Sequence, residues 1–216
     1  MTSASACMRG AIACAAFAAF TAIAQAEPQE KMTFTVMRND AQIGTNTITL
    51  GRNGLQVTVE SVTHVTVGMA FITLYRFDQR ETEQWQNGRL LALNAVTDDN
   101  GTVHRIAADS RDGKIVVTSD GLVKEVAATI LPASAWNSDI LRQDVALDPE
   151  SGNLVPVSIV DRGEENVVVG GRSTLAHHYV IKTAHSQDVW YDQNHALVKV
   201  EIQGSDGSTI RYQLIS

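Results

Sequence analysis

Apolar and polar residues alternate along most of this chain, and Asn-Gly or Asp-Gly pairs punctuate the alternation at hairpin spacing. In Leu55-Gln56-Val57-Thr58-Val59-Glu60 the odd positions are apolar and the even ones polar. From Ala196 to Ile202 the even positions are apolar, with Lys199 and Glu201 facing the other way, and Ile210, Tyr212 and Leu214 alternate with Arg211 and Gln213. A period of two gives an extended strand one dry face and one wet face. The pairs Asn53-Gly54, Asn87-Gly88, Asn100-Gly101, Asp112-Gly113, Asp120-Gly121 and Asp206-Gly207 supply the positive φ that both central residues of a type I′ turn require. Together they predict antiparallel meanders over residues 31–130 and 153–216. The expected fold is mainly β: a strongly curved sheet or half-open barrel with one short helix.

That helix is expected over residues 134–143. Pro132 pre-sets φ, Ser134 is a capping residue type, and Trp136, Ile140 and Leu141 fall at helical spacing before Pro149. It would pack on one face of the sheet or plug an open end.

Residues 1–26 read as an address label separate from the fold. Arg9 precedes the apolar stretch from Ala11 to Ala24, and Ala24-Gln25-Ala26 offers small residues where a signal peptidase cuts. The apolar stretch is shorter than the ~20 residues a spanning helix needs, so no stable membrane insertion is expected after cleavage. Cys7 and Cys14 both lie in the leader, so the mature chain, a single domain over residues 27–216, has no cysteine. Lacking disulfides in an oxidising compartment, periplasmic or secreted, it must be held by its core. Hydrophobic content of 44% and charged content of 19% fit a folded domain. The net charge of −7 argues against nucleic acid as a partner, since phosphate contacts need a basic surface.

Two stretches mirror each other. Trp85-Gln86-Asn87-Gly88-Arg89-Leu90 leads to Gly101 and Arg105, and Trp190-Tyr191-Asp192-Gln193-Asn194 leads through Leu197 to Gly207 and Arg211. The run Glu83 to Leu90, with Val189-Trp190-Tyr191-Asp192 and Leu197-Val198-Lys199-Val200, resembles an uncharacterised family of exported bacterial β-rich proteins, catalogued as a domain of unknown function. More remotely the chain is similar to the half-barrels of periplasmic lipoprotein carriers, which hold acyl chains between a bent sheet and a helical lid. The resemblance implies a fold and transfers no catalytic residue.

Nucleophile and phosphate-loop signatures are missing: there is no Gly-x-Ser-x-Gly and no Gly-x-x-x-x-Gly-Lys-Ser/Thr. Gly170-Gly171, after Val167-Val168-Val169, reads as a bend or bulge in a strand. The histidines cluster at His177, His178, His185 and His195, with Asp188 and Asp192 among them. Were residues 185–195 a hairpin, His185 and His195 would face each other with Asp188 alongside, a set that suits a first-row metal. This is the basis of an alternative reading as an envelope enzyme or metal-binding protein. Glu81 and Glu83 share one strand face and are expected to be solvated, and Glu164-Glu165 to sit in a turn.

The aromatic residues point elsewhere. Met69, Phe71, Tyr75, Phe77 and Trp85 occupy odd positions of one long strand, a face interrupted by Thr73, Gln79, Glu81 and Glu83. An apolar lining with a few polar groups is what a ligand cavity needs. Phe71, Tyr75, Phe77, Trp85, Trp136 and Tyr179 are therefore the expected ligand-lining residues. The expected partner is a hydrophobic small molecule, a lipid or acyl chain, with no cofactor. The identity of any protein partner stays open, including one that would add to a sheet edge.

Overall fold

The computed structural model describes residues 29–69, 72–183, 186–204 and 206–215. The leader expected over residues 1–26 lies outside them. The strands in chain order are β1 (Gln29–Arg38), β2 (Ala41–Asn53), β3 (Gln56–Met69), β4 (Ile72–Gln86), β5 (Arg89–Asp99), β6 (Thr102–Arg111), β7 (Lys114–Ser119), β8 (Leu122–Ala127), β9 (Leu131–Pro132), β10 (Val145–Leu147), β11 (Leu154–Pro156), β12 (Ser158–Val169), β13 (Arg172–Lys182), β14 (Ser186–Asp192), β15 (Leu197–Gln203) and β16 (Thr209–Leu214).

Among the described residues, thirteen strands form one antiparallel sheet ordered β12-β13-β14-β15-β16-β1-β2-β3-β4-β5-β6-β7-β8. Two runs of hairpins, β1 to β8 and β12 to β16, are joined where β1 pairs with β16, Phe34 opposite Leu214 and Arg38 opposite Ile210. The margins β8 and β12 are not paired, so the curved sheet does not close into a barrel.

The turns follow from the dipeptides that make them. Asn87-Gly88, Asn100-Gly101, Asp112-Gly113 and Asp120-Gly121 all carry positive φ at both positions. Asn53-Gly54 is phased differently: Asn53 ends β2, and Gly54, at φ 57°, is the first central residue, followed by Leu55. Gly170-Gly171 is also a turn and not the expected bulge. Both glycines have positive φ, and Val169 pairs directly with Arg172 across them.

The bulges fall elsewhere. One extra residue is accommodated at Ile43, Leu74, Leu91, Arg162 and Val198, each where a ladder shifts register. Each such insertion bends its strand and increases the local twist, and so helps the sheet to curl. Beside the Ile43 bulge the backbones of β2 and β3 come so close that a Cβ on Gly44 would sit 2.0 Å from the His64 carbonyl oxygen. Only glycine fits there.

The connection from β8 to β12 runs through the hollow of the sheet. In it β9 pairs in parallel with β10, and β10 antiparallel with β11. Its Leu131, Ile140, Ala146, Leu147, Val155 and Val157 are buried against Leu93, Ile106, Ala108, Ile115 and Val117 of the sheet. At ~1.5–3 kcal/mol for each large aliphatic side chain, this burial holds the connection inside without a covalent link. Tyr191 on β14, itself buried, donates its hydroxyl to the Ala135 carbonyl at 2.8 Å and fastens the connection from the other side.

The helix expected over 134–143 shrinks to a five-residue 3-10 segment, Ser138–Arg142. Asn137 caps it, its side chain accepting from the Asp139 N–H at 3.0 Å. Short polar side chains compete with helical backbone for hydrogen bonds, so Asn137 and Ser138 start a turn in place of helix interior. The Ser134 hydroxyl is committed to the sheet.

Candidate functional site

Alternation along β4 aims Tyr75, Phe77, Gln79, Glu81, Glu83 and Trp85 at the concave interior. Pairing then lays polar side chains from neighbouring strands beside the middle of this row. Ser61 lies opposite Glu81, Thr63 opposite Gln79, Asn46 opposite Thr63, and Thr97 opposite Gln79. Asn46 Nδ2 donates to Thr63 Oγ1 at 2.9 Å and to Ser61 Oγ at 3.2 Å, and Gln79 Nε2 donates to Thr97 Oγ1 at 3.1 Å. The result is a hydrogen-bonded polar belt across β2 to β5 inside an otherwise apolar concavity.

The belt ends in a pair of carboxyls. Glu81 is 5% and Glu83 2% exposed, which overturns the expectation that both are solvated. Ser134 Oγ, delivered by the connection, lies 2.7 Å from Glu81 Oε1 and 2.7 Å from Glu83 Oε1. Glu83 also accepts from Trp85 Nε1 at 2.6 Å and from Trp136 Nε1 at 3.1 Å to each oxygen. The two indoles meet edge to face with centroids 5.8 Å apart. Burial, then the neighbouring Glu83 charge and the hydrogen bond between the two carboxyls, push Glu81 well above the usual carboxylate range. Two like charges in contact oppose each other in such a setting, so Glu81 holds its proton to higher pH than a free carboxyl does. Parity with Trp85 was the available sequence signal for their burial.

Beside Glu81 a cavity of about 190 Å³ is lined by Phe34, Ile48, Ala135, Trp136 and Val200 among others. It shares Glu150, Ile202 and Tyr212 with a groove of about 600 Å³ whose wall includes Ile43, Val65, Val67, Leu74, Tyr75 and Phe77. The groove is of ordinary ligand-pocket size (~300–1,000 Å³) and mostly apolar. Burial and the Glu150 charge push the Tyr212 phenol up to about 12, so the wall there is an uncharged hydroxyl at neutral pH.

The expected lining residues divide. Tyr75 and Phe77 line the groove and Trp136 the cavity. Trp85 is buried and, with Trp136, lines a separate cavity of about 410 Å³. Tyr179 is elsewhere, stacked on His177 at 4.4 Å beside Leu141, Glu164 and Tyr191. Phe71 is outside the described residues.

Of the clustered histidines, His177 and His195 line one cavity of about 250 Å³ with Glu164, Tyr179 and Asp192. Ser186–Asp192 is one continuous strand in place of the expected hairpin, and His185 is outside the described residues. His195 sits in the turn beyond β14 with φ 61°. Asp188 is engaged by His178 Nε2 at 2.7 Å, and the His178 ring stacks on Trp190 at 4.2 Å. Among the described residues no three His, Cys, Asp or Glu side chains are placed to hold a metal ion. Glu164 and Glu165 lie in β12 and not in a turn; Glu165 accepts from Trp190 Nε1 at 2.5 Å. No helix among the described residues is long and apolar enough to cross a membrane.

The model of the domain of unknown function DUF6134 matches residues 34–215. No curated protein matches the chain. Among solved structures the chain is similar to the crystal structure of a beta-barrel-like protein of domain of unknown function DUF1849 from Brucella abortus. The two share 14% identity and a TM-score of 0.64, over 88% of this chain and 96% of that one. At this identity the likeness is one of fold: a strongly curved β architecture of nearly the same extent.

Proposed function

The chain belongs to the DUF6134 family, a domain of unknown function, and on that footing we propose that it is an exported protein that binds an apolar ligand, a lipid or acyl chain, in the concavity of its curved sheet. The observation that carries this reading is the groove of about 600 Å³ lined by Ile43, Val65, Val67, Leu74, Tyr75 and Phe77, which shares the walls Ile202 and Tyr212 with the cavity at Glu81. A sheet built only for stability would fill that space, because interiors pack to crystal-like density. Here the connection fills the end of the concavity near β5 to β7, and the end near the β3–β4 hairpin stays hollow. The leader supports export, with the periplasm or the exterior as destination.

The test is direct. Protein stripped of lipid by denaturing extraction and refolding should take up a fluorescent alkyl probe at one site, and organic extracts of natively purified protein should contain a stoichiometric apolar compound by mass spectrometry. No probe uptake together with empty extracts would remove the proposal. Fractionation of cells producing the full chain should recover a form trimmed near Ala26 outside the cytosol.

A further inference from the structure

The β3–β4 hairpin runs on past the strands that flank it. Along β3 the ladder with β2 stops at Val65, opposite Gly44, and along β4 the ladder with β5 stops at Phe77, opposite Asp99. Past those rungs, residues 66–69 and 72–76 pair within the sheet with each other alone, from Thr66 opposite Arg76 to Met69 opposite Ile72. Four rungs at the spacing of an extended strand make a two-stranded finger ~13 Å long.

The finger is uncharged and its side chains face outward. From Thr66 to Tyr75 ten consecutive residues include no Asp, Glu, Lys or Arg, in a chain that is 19% charged. Ile72 is 64% exposed, Leu74 58% and Tyr75 36%. Strict alternation would turn one of the neighbours Leu74 and Tyr75 away from the groove; the register shift at Leu74 lets both line it, together with Val67. Single exposed apolar side chains are ordinary, whereas a contiguous set on a projecting tip marks a docking surface.

Resting on the reading of the groove as a lipid site, we propose that this finger docks the protein on a lipid bilayer, entering the headgroup and outer acyl region and setting the groove mouth against the chains it takes up. Val67, Leu74 and Tyr75 belong to the finger and to the groove wall alike. A docked finger therefore gives an apolar molecule a path from the acyl layer into the groove that never crosses water, whereas a protein seated there would cover the mouth. A tip two strands wide also falls far short of the ~800 Å² a side that a stable protein interface buries. Charge resumes at the base of the finger, where Arg76 is paired with Asp78. Docking is shallow. The outward N–H and C=O groups of a two-stranded finger have no third strand to bond and must stay in reach of water, which holds the tip to the ~5–10 Å of the interface. The net charge of −7 offers anionic lipid no attraction, so burial of the apolar tip drives the contact.

Flotation of the exported protein, as recovered outside the cytosol, with phosphatidylcholine vesicles tests this. The protein should rise with the vesicles, no more strongly when half the lipid is phosphatidylglycerol, and still in high salt. Ile72→Asp charges the tip at a side chain that is not part of the groove wall, and should lower vesicle partitioning at least about tenfold. Leu122→Asp, at a side chain 79% exposed beside the β7–β8 turn, is the matched control and should change nothing. Ile72→Asp should still take up a soluble alkyl probe as the unsubstituted protein does, and should collect the same probe from vesicles more slowly. Should Ile72→Asp fail to fold, Ile72→Trp serves: its added indole emission should shift to the blue when vesicles are supplied. No flotation, flotation only with anionic lipid, flotation untouched by Ile72→Asp, or an equal loss in Leu122→Asp would overturn the docking finger. So would a lipid-free dimer that Ile72→Asp dissociates, which would give the tip to a second copy. Flotation that depends on Ile72, in a protein that takes up no alkyl probe from solution, would remove the groove reading and support the docking alone.

Discussion

Trp85 and Trp136 meet edge to face at 83°, and both aim their indole N–H at the carboxylate of Glu83. One indole comes from the sheet and the other from the connection, so the contact joins the two layers through a buried acid. Several consequences can be measured.

Ser134→Ala removes the hydroxyl that lies between Glu81 and Glu83 and leaves buried acceptors short of a donor. The expected cost is ~1–3 kcal/mol, measured by urea unfolding at pH 7. A midpoint equal to that of the unsubstituted protein would mean that water satisfies the pair equally well.

Glu81→Gln should flatten the pH dependence of stability on its alkaline side. Burial raises the folded-state value of Glu81 above its ordinary 4.5. Between those two values the folded state holds a proton that the unfolded state has lost, so stability is whole below about 4.5 and falls as pH rises through the folded value. A glutamine cannot titrate, and the thermal midpoint of the variant should stay level from pH 5 to 9 while that of the unsubstituted protein declines. The acid limb should survive in both. Asp78, Asp120 and Asp161 are held below the usual carboxylate range first by hydrogen bonds from His64, His104 and His177 respectively. Their contribution is present above about pH 4 and is lost as pH falls through their lowered values.

Tyr191→Phe deletes the hydroxyl that holds the Ala135 carbonyl at 2.8 Å and keeps the buried ring. The expected loss is ~0.5–1.5 kcal/mol. Amide hydrogen exchange should show faster opening of residues 133–137 with little change in β14.

Asn100→Val places a β-branched residue where φ is 51°. Left-handed backbone costs an L-residue ~1–2 kcal/mol, and more for a branched side chain, so the β5–β6 hairpin should loosen by at least that amount. Asn100→Gly should be nearly neutral in the same denaturation assay.

Val67→Asp puts a charge on the groove wall while sparing the packed core around Ile115 and Leu147. Alkyl-probe affinity should drop by at least about tenfold, with urea unfolding of the variant run in parallel to show that the sheet is kept. Unchanged affinity would place the probe elsewhere.

Much of this was legible before the coordinates. Period-two patterning identified the strands, and four Asn-Gly or Asp-Gly pairs form the type I′ turns they encode. Asn53-Gly54 shows the limit, since a dipeptide marks a turn without fixing which residue occupies which place in it. Parity put Glu81 and Glu83 on the face of Trp85, but their burial depends on Ser134 and Trp136 arriving from a segment some fifty residues later. Nothing local to β4 signals that arrival. The same event explains the missing helix, since a serine that donates to the sheet is not available to cap the segment beginning at Ser134. The hairpin expected over 185–195 is replaced by strand for a related reason: Val189 and Tyr191 are fully buried and hold residues 186–192 extended in the sheet.

The seam between β1 and β16 sets the order in which the molecule can be completed. A chain made from its N-terminus carries the bare margin of β1, with Phe34 and Val36 beside it, until the last six-residue strand exists. Unsatisfied strand margins recruit other chains. Loss of a few C-terminal residues should therefore cause clumping out of proportion to the contacts removed, because it reopens the middle of the sheet and not its rim.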